Sequence, residues 1–211
     1  MSLSVELRLD GRRCVVAGGG RIGTRRAMLL IDAGAVVTVV APEASEELRD
    51  LAAGGRLSLL ARRFRPGDAD GAVVVVAATD SAEVNEMVQH AAESAGALVN
   101  RADDAGSGDL LMPAVIRAGA LRITVSSDGR APAVTRWAAE RLRGGIDGLL
   151  DLDSEQLAML VDIVAEVRAE LAGSGRVLDW RSALDRTMLE EIRRGHRAVA
   201  KERLKACLSS S

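Results

Sequence analysis

The sequence has almost no aromatic residues: one Phe, two Trp and no Tyr in 211 positions. Stacking platforms for nucleic-acid bases are therefore nearly unavailable. A net charge of −2 offers no electrostatic footprint for a polyanion either, so no nucleic-acid partner is expected. Cysteine is equally scarce. Cys14 and Cys207 stand apart without C-x-x-C or metal-ligand spacing, which argues against a disulfide framework and a structural zinc site. His90 and His196 lie on predicted helices with no partner ligand at metal spacing, and both read as surface residues. No apolar run approaches the roughly 18 residues that span a bilayer, so no membrane contact is expected. The N-terminal stretch "MSLSVELRLDGRR" lacks the apolar core of a signal peptide, which makes the cytoplasm the expected compartment.

What the chain does have is Ala, Val and Leu in short runs punctuated by glycine. "RCVVA" (13 to 17), "VVTVV" (36 to 40), "LSLLAR" (57 to 62), "AVVVVAAT" (72 to 79) and "ALVN" (97 to 100) read as buried strands. Helices are predicted between them over 22 to 33, 43 to 53 and 81 to 95, with Gly34, Gly54-Gly55 and Gly96 as stops. This alternation predicts a Rossmann-type α/β domain over residues 1–113, with "VELRL" (5 to 9) as a further edge strand. The pattern changes after Pro113. "AVIRAGALRITVSSDG" predicts one short helix and one strand, "LRITVSS", and "PAVTRWAAERLRGGI" a helix with Pro132 in its first turn. Residues 146–211 read as helices only. Ser154 is the expected N-cap of the longest, Gly173-Ser174-Gly175 a turn, and the segment from Ser182 a continuous helical tail.

Gly18, Gly20 and Gly23 form G-x-G-x-x-G between the first strand and the first helix. Gly18 permits the tight turn, Gly20 lets the backbone approach a pyrophosphate, and Gly23 lets the helix pack on the sheet. The helix N-terminus adds free N–H groups and partial positive charge. The second strand ends at Val40 with no acidic residue directly on it, and Pro42 and Glu43 follow. Glu43 could reach a ribose 2′-OH, and backbone contacts from Pro42 and Glu43 are equally plausible. No Arg stands beside them in sequence to hold a 2′-phosphate, so NAD is favoured over NADP. Thr79 and Asp80 end the long buried strand at the edge that faces the ligand crevice. Asp80 is read either as part of that crevice or as the cap of the helix from Ser81. Asn100, Asp103 and Asp104 end the next strand at the same edge. A carboxylate there could take a proton as a hydride leaves.

These residues resemble a family, the precorrin-2 dehydrogenases of siroheme synthesis, which occur alone or fused to a methyltransferase. The resemblance is carried by "GGGRIGTRRAMLLIDAGAVVTVVAP", "AATDSAEVN", "VNRADD" with "LLMPAVI", and "ITVSSDGRAPAVTRWAAERL", in order over residues 8 to 143. It implies NAD-dependent oxidation of precorrin-2 to sirohydrochlorin, here without the methyltransferase. Some members also insert iron or cobalt into the product, so a bifunctional dehydrogenase and chelatase is the alternative. By the resemblance the catalytic aspartate falls on Asp103, with Asp104 adjacent. Cofactor contacts fall on Arg21 and Ile22 and on Pro42 and Glu43. "SSDGRAP" differs from the usual serine- and threonine-rich segment, leaving Ala131 without a hydroxyl.

Precorrin-2 carries eight carboxylates, so cations and hydroxyls should line its site. Candidates are Arg101, Arg117, Arg130 and Arg136, with Ser126 and Ser127. The resemblance also implies a homodimer made by residues 114–145, whose apolar strand offers an open edge for pairing. A third reading, a nucleotide-sensing domain of the potassium-transport type, shares the glycine loop and "AATD". It would normally carry an acidic residue at the end of the second strand, and it does not require the Met112-Pro113 or "SSDGRAP" segments.

Overall fold

The computed structural model describes residues 2–118, 121–145, 152–171 and 179–209. Five parallel strands run in the order β3-β2-β1-β4-β5: β1 (Arg13–Ala17), β2 (Val36–Val40), β3 (Ser58–Leu60), β4 (Val74–Ala77) and β5 (Leu98–Arg101). Three helices connect them, α1 (Arg21–Asp32), α2 (Glu46–Ala53) and α3 (Ala82–Ser94), with a short 3₁₀ turn at Pro66–Ala69. The Rossmann-type α/β architecture read from the sequence is what the chain adopts.

Strand pleating sorts the core into two layers. Cys14 and Val16 of β1, with Val74 and Val76 of β4, pack with Ala27, Leu30 and Leu48 on one face. Val15, Ala17, Val75 and Ala77 pack with Val88, Ala91 and Phe64 on the other. Both faces of β1 and β4 are covered, which is why these strands are written in Val and Ala without alternation.

The connection order places the change of direction between β1 and β4, whose carboxyl ends open a crevice between the loops that follow them. The five strands of this sheet follow the sequence reading, and the departures lie outside them. Residues 5–9 form no strand, and only Leu9 of that run is buried. The helix expected from position 43 begins at Glu46, because the Ser45 hydroxyl accepts the Leu48 N–H and caps it there. Likewise Ser81, not Asp80, caps α3 by accepting the Val84 N–H.

Two compact units divide the chain: residues 1–112 with 127–131, and residues 113–126 with 132–211. In the second unit the helix expected after Pro113 is instead β6 (Ala114–Ala118), paired antiparallel with β7 (Leu121–Val125). Its β-branched Val115 and Ile116 favour the strand, and Ile116 is buried. α4 (Pro132–Gly145) packs on both strands, with Pro132 in its first turn as expected.

The helical part of this unit contains α5 (Ser154–Glu170), α6 (Trp180–Ala183), α7 (Arg186–Arg193) and α8 (Arg197–Ser209). Ile163, Val167, Met188, Ile192 and Leu204 form its core. Asp153 caps α5 in place of the expected Ser154, and Gln156 reciprocates by accepting the Asp153 N–H at 3.0 Å. The tail read as continuous breaks where Asp185 caps α7 and where Gly195 turns with φ +73°. The Gly173-Ser174-Gly175 turn lies outside the described residues. No described helix is long and apolar enough to cross a membrane.

Candidate active site

The loop after β1 is built around glycines for want of space. A Cβ on Gly18 (φ +119°) would sit 2.2 Å from the Ala78 carbonyl oxygen. One on Gly19 would sit 2.2 Å from the Glu43 carbonyl oxygen, and one on Gly23 would sit 2.1 Å from that of Gly18. Gly20 is different. Its φ of −78° is ordinary, and an added Cβ meets nothing within 4 Å. The loop is thus pressed against its neighbours at three glycines and open at the fourth.

No side chain caps α1 and no acidic residue stands in its first turn. Its leading N–H groups lack intrahelical partners and carry the positive end of the helix dipole toward the open side. The Gly18 N–H donates to the Val40 carbonyl at 3.0 Å and the Ser45 N–H to the Gly19 carbonyl at 2.9 Å. The Thr24 and Ser45 hydroxyls meet at 2.8 Å. These contacts lock the loop after β1 to the loop after β2. The cradle, open at Gly20 and free of acidic side chains at the helix end, suits the pyrophosphate of a dinucleotide.

A cleft of about 1020 Å³ opens along this edge. Of the residues expected at the cofactor, Gly18, Gly20, Arg21, Ile22, Pro42, Glu43, Thr79 and Asp80 line it, and Asp103 lines it too. Gly23 and Asn100 do not. Gly23 is buried beneath the loop. Asn100, 2% exposed, donates its amide to the Leu110 carbonyl at 2.6 Å and fastens the segment from Gly108 to Leu110 against β5.

Several lining or supporting residues escaped the sequence reading. Asn85, six positions beyond Thr79 and buried, brackets that residue. It accepts the Thr79 N–H and donates to the Thr79 carbonyl, both at 3.0 Å. Arg63 and Phe64 enter the cleft from the segment after β3. Arg63 corrects one premise of the cofactor reading: a cation does share the cleft with Glu43, brought there by the β2–β3 pairing and not by sequence adjacency.

Asp103 is held by its neighbour two positions back. Arg101 Nε and Nη2 donate to its two carboxylate oxygens at 2.9 Å each, a bidentate fork. That guanidinium, first of all, and then the Asn85 amide hold the carboxyl far below the usual carboxylate range. Arg101 is not on the cleft lining and its side chain is 9% exposed, so its place is behind Asp103 and not among substrate-gripping arginines. Asp104 points elsewhere. Its oxygens accept the Gly106 N–H at 2.9 Å and the Ser107 hydroxyl at 2.7 Å.

Ser127 and Arg130 belong to the same unit as the cleft, on a loop where the Ser127 hydroxyl accepts the Ala131 N–H at 3.0 Å. Gly129 there approaches so closely that a Cβ would lie 2.3 Å from the Ala105 methyl, two residues beyond Asp103. Ser126, Arg117 and Arg136 belong to the other unit. Among the described residues no group of three His, Cys, Asp or Glu side chains could hold a metal ion.

The chain is similar to known proteins over most of its length. The chain is 37% identical over 203 residues to siroheme synthase 3 of Aeromonas hydrophila subsp. hydrophila, covering 95% of this chain and 42% of that protein. It is 36% identical over 199 residues to the siroheme synthase of Chromobacterium violaceum, with 93% and 42% covered. The chain therefore spans less than half the length of these relatives. The solved structure of the precorrin-2 dehydrogenase SirC superposes with a TM-score of 0.68 at 27% identity, with all of both chains covered. A family model described as "Putative NAD(P)-binding" matches residues 5–114, more than half of the chain, and the chain belongs to that family of nicotinamide-cofactor proteins.

Proposed function

We propose that the chain is a precorrin-2 dehydrogenase working with NAD. The observation that carries this reading is one sheet edge bearing both an anion cradle and an ionised carboxylate: the loop from Gly18 to Ile22 and Asp103 line a single cleft. The likeness to SirC and to the siroheme synthases supports the choice of substrate. In the overall change precorrin-2 loses a hydride and a proton to become sirohydrochlorin, and NAD⁺ becomes NADH. Bound NAD would supply the hydride acceptor, with its pyrophosphate over Gly20 and the α1 N-terminus.

The chain's own residues divide the remaining work. Thr79 and Asp80, steadied by Asn85, shape the wall after β4. Asp103 presents the carboxylate toward which the proton leaves. From the family resemblance we assign Ser127 and Arg130 to the substrate carboxylates, and Ser126 and Arg136 the same task. Glu43 favours NAD because a carboxylate repels a 2′-phosphate.

Purified protein given precorrin-2 and NAD⁺ should form NADH and sirohydrochlorin in equal amounts. It should favour NAD⁺ over NADP⁺ by about tenfold or more in kcat/KM, roughly 1.4 kcal/mol of discrimination. No turnover by folded, NAD-binding protein would reject the enzyme. A preference for NADP⁺ would keep it and give Arg63 the 2′-phosphate.

We further propose a homodimer formed through residues 114–145. Two strands alone are marginal and leave open edges, and α4 exposes Val134 and Trp137. Light scattering should give twice the 22.2 kDa chain mass. A mass of one chain at micromolar concentration would remove the dimer.

A further inference from the structure

We propose that Arg101 is a positioning residue, holding Asp103 as an oriented anion at the point where the proton leaves the substrate. The proposal rests on the reading of Asp103 as the carboxylate that meets the substrate. Its basis is the division of labour between the two side chains. Asp103 lines the cleft and is 32% exposed, whereas Arg101 is 9% exposed and off the lining. The guanidinium is itself anchored, its Nη1 donating to Gln89 Oε1 on α3 at 2.9 Å. A planar fork fixed at both ends leaves the carboxylate little freedom to rotate.

The charges around the pair point the same way. From β5 comes Arg101, from α3 come the Asn85 amide and the Glu86 carboxylate, and from the following loop comes Asp104. Arg101 alone among these opposes protonation by charge, and Asn85 assists by hydrogen bonding. The charge of Asp104, which repels that of Asp103, would favour a proton on the pair if the guanidinium were absent. Hydride loss leaves positive charge on the substrate, which a permanent anion stabilises.

An ordinary surface ion pair would contribute little and leave catalysis untouched. Three measurements separate the two roles. In wild-type protein, the Asp103 carboxyl carbon, assigned by difference with Asp103→Asn, should show no NMR titration between pH 4 and 8. In Arg101→Met the titration, and with it the acid limb of kcat/KM, should move up by about one to three pH units. The same variant should lose roughly ten- to a hundredfold in kcat at neutral pH with little change in KM for NAD. Arg101→Lys should restore the charge but not the fork, returning the limb toward wild type with only part of the rate. Titration of wild-type Asp103 above pH 4 overturns the proposal even if Arg101→Met fails to fold. Unchanged rate and limb in a folded Arg101→Met overturn it as well. Absence of wild-type turnover would instead strike the dehydrogenase reading, which the carboxyl titration does not depend on.

Discussion

Asp103→Asn lowers kcat for precorrin-2 oxidation by about a hundredfold or more, while the dissociation constant for NAD stays within about twofold of wild type. This is the expected result, and it follows from where the side chain sits. Asp103 is on the cleft lining, but the proposed anion cradle at Gly18 to Ile22 is a separate stretch of that lining. Asparagine keeps one oxygen to accept an N–H from Arg101, so the fork loses charge and one bond without becoming empty. The pair is partly exposed, so the loss of stability should be small and the fold retained. Stopped-flow NADH formation and a separate NAD titration together check the split between rate and binding. A variant with wild-type kcat would move the proton to another acceptor. Asp104 would then need to leave the Gly106 N–H and the Ser107 hydroxyl that now occupy it.

Strand residues were legible because burial on both faces leaves a continuous Val and Ala signature, and β1, β2, β4 and β5 fall where the pattern put them to within two residues. The glycine loop was legible for a related reason: backbone oxygens come within 2.2 Å of a Cβ at Gly18 and 2.1 Å of one at Gly23. What stayed hidden depends on contacts distant along the chain. Gly19 occupies a free position of the motif, yet the Glu43 carbonyl excludes a side chain there. Arg63 reaches the cleft only through the pairing of β3 with β2. Arg101 read as a cation for the substrate, because a sequence does not show that the fork closes on a carboxylate two residues away. "AVIRAGA" is too short for either period to decide between helix and strand, and only pairing with β7 makes β6 a strand.

The glycine loop separates folding from cofactor binding at two positions only two residues apart. Gly18→Ala forces a methyl to 2.2 Å from the Ala78 carbonyl oxygen at a φ of +119°, where side chains are strained. Strain of this kind costs about 1–3 kcal/mol before the clash is counted, so Tm should fall by roughly 5 °C or more. Gly20→Val has neither fault, for its backbone is extended and nothing lies within 4 Å of the new Cβ. Its Tm should change little, since the narrower unfolded chain offsets the poorer N-cap that valine gives α1. The same branched side chain stands in the cleft over the free N–H groups of α1, where the pyrophosphate must approach. NAD affinity should drop by at least tenfold, about 1.4 kcal/mol. Calorimetric melting and NAD titration of the two variants give opposite orders of damage if Gly20 is the phosphate contact. Wild-type NAD affinity in Gly20→Val would mean that the dinucleotide lies elsewhere along the cleft.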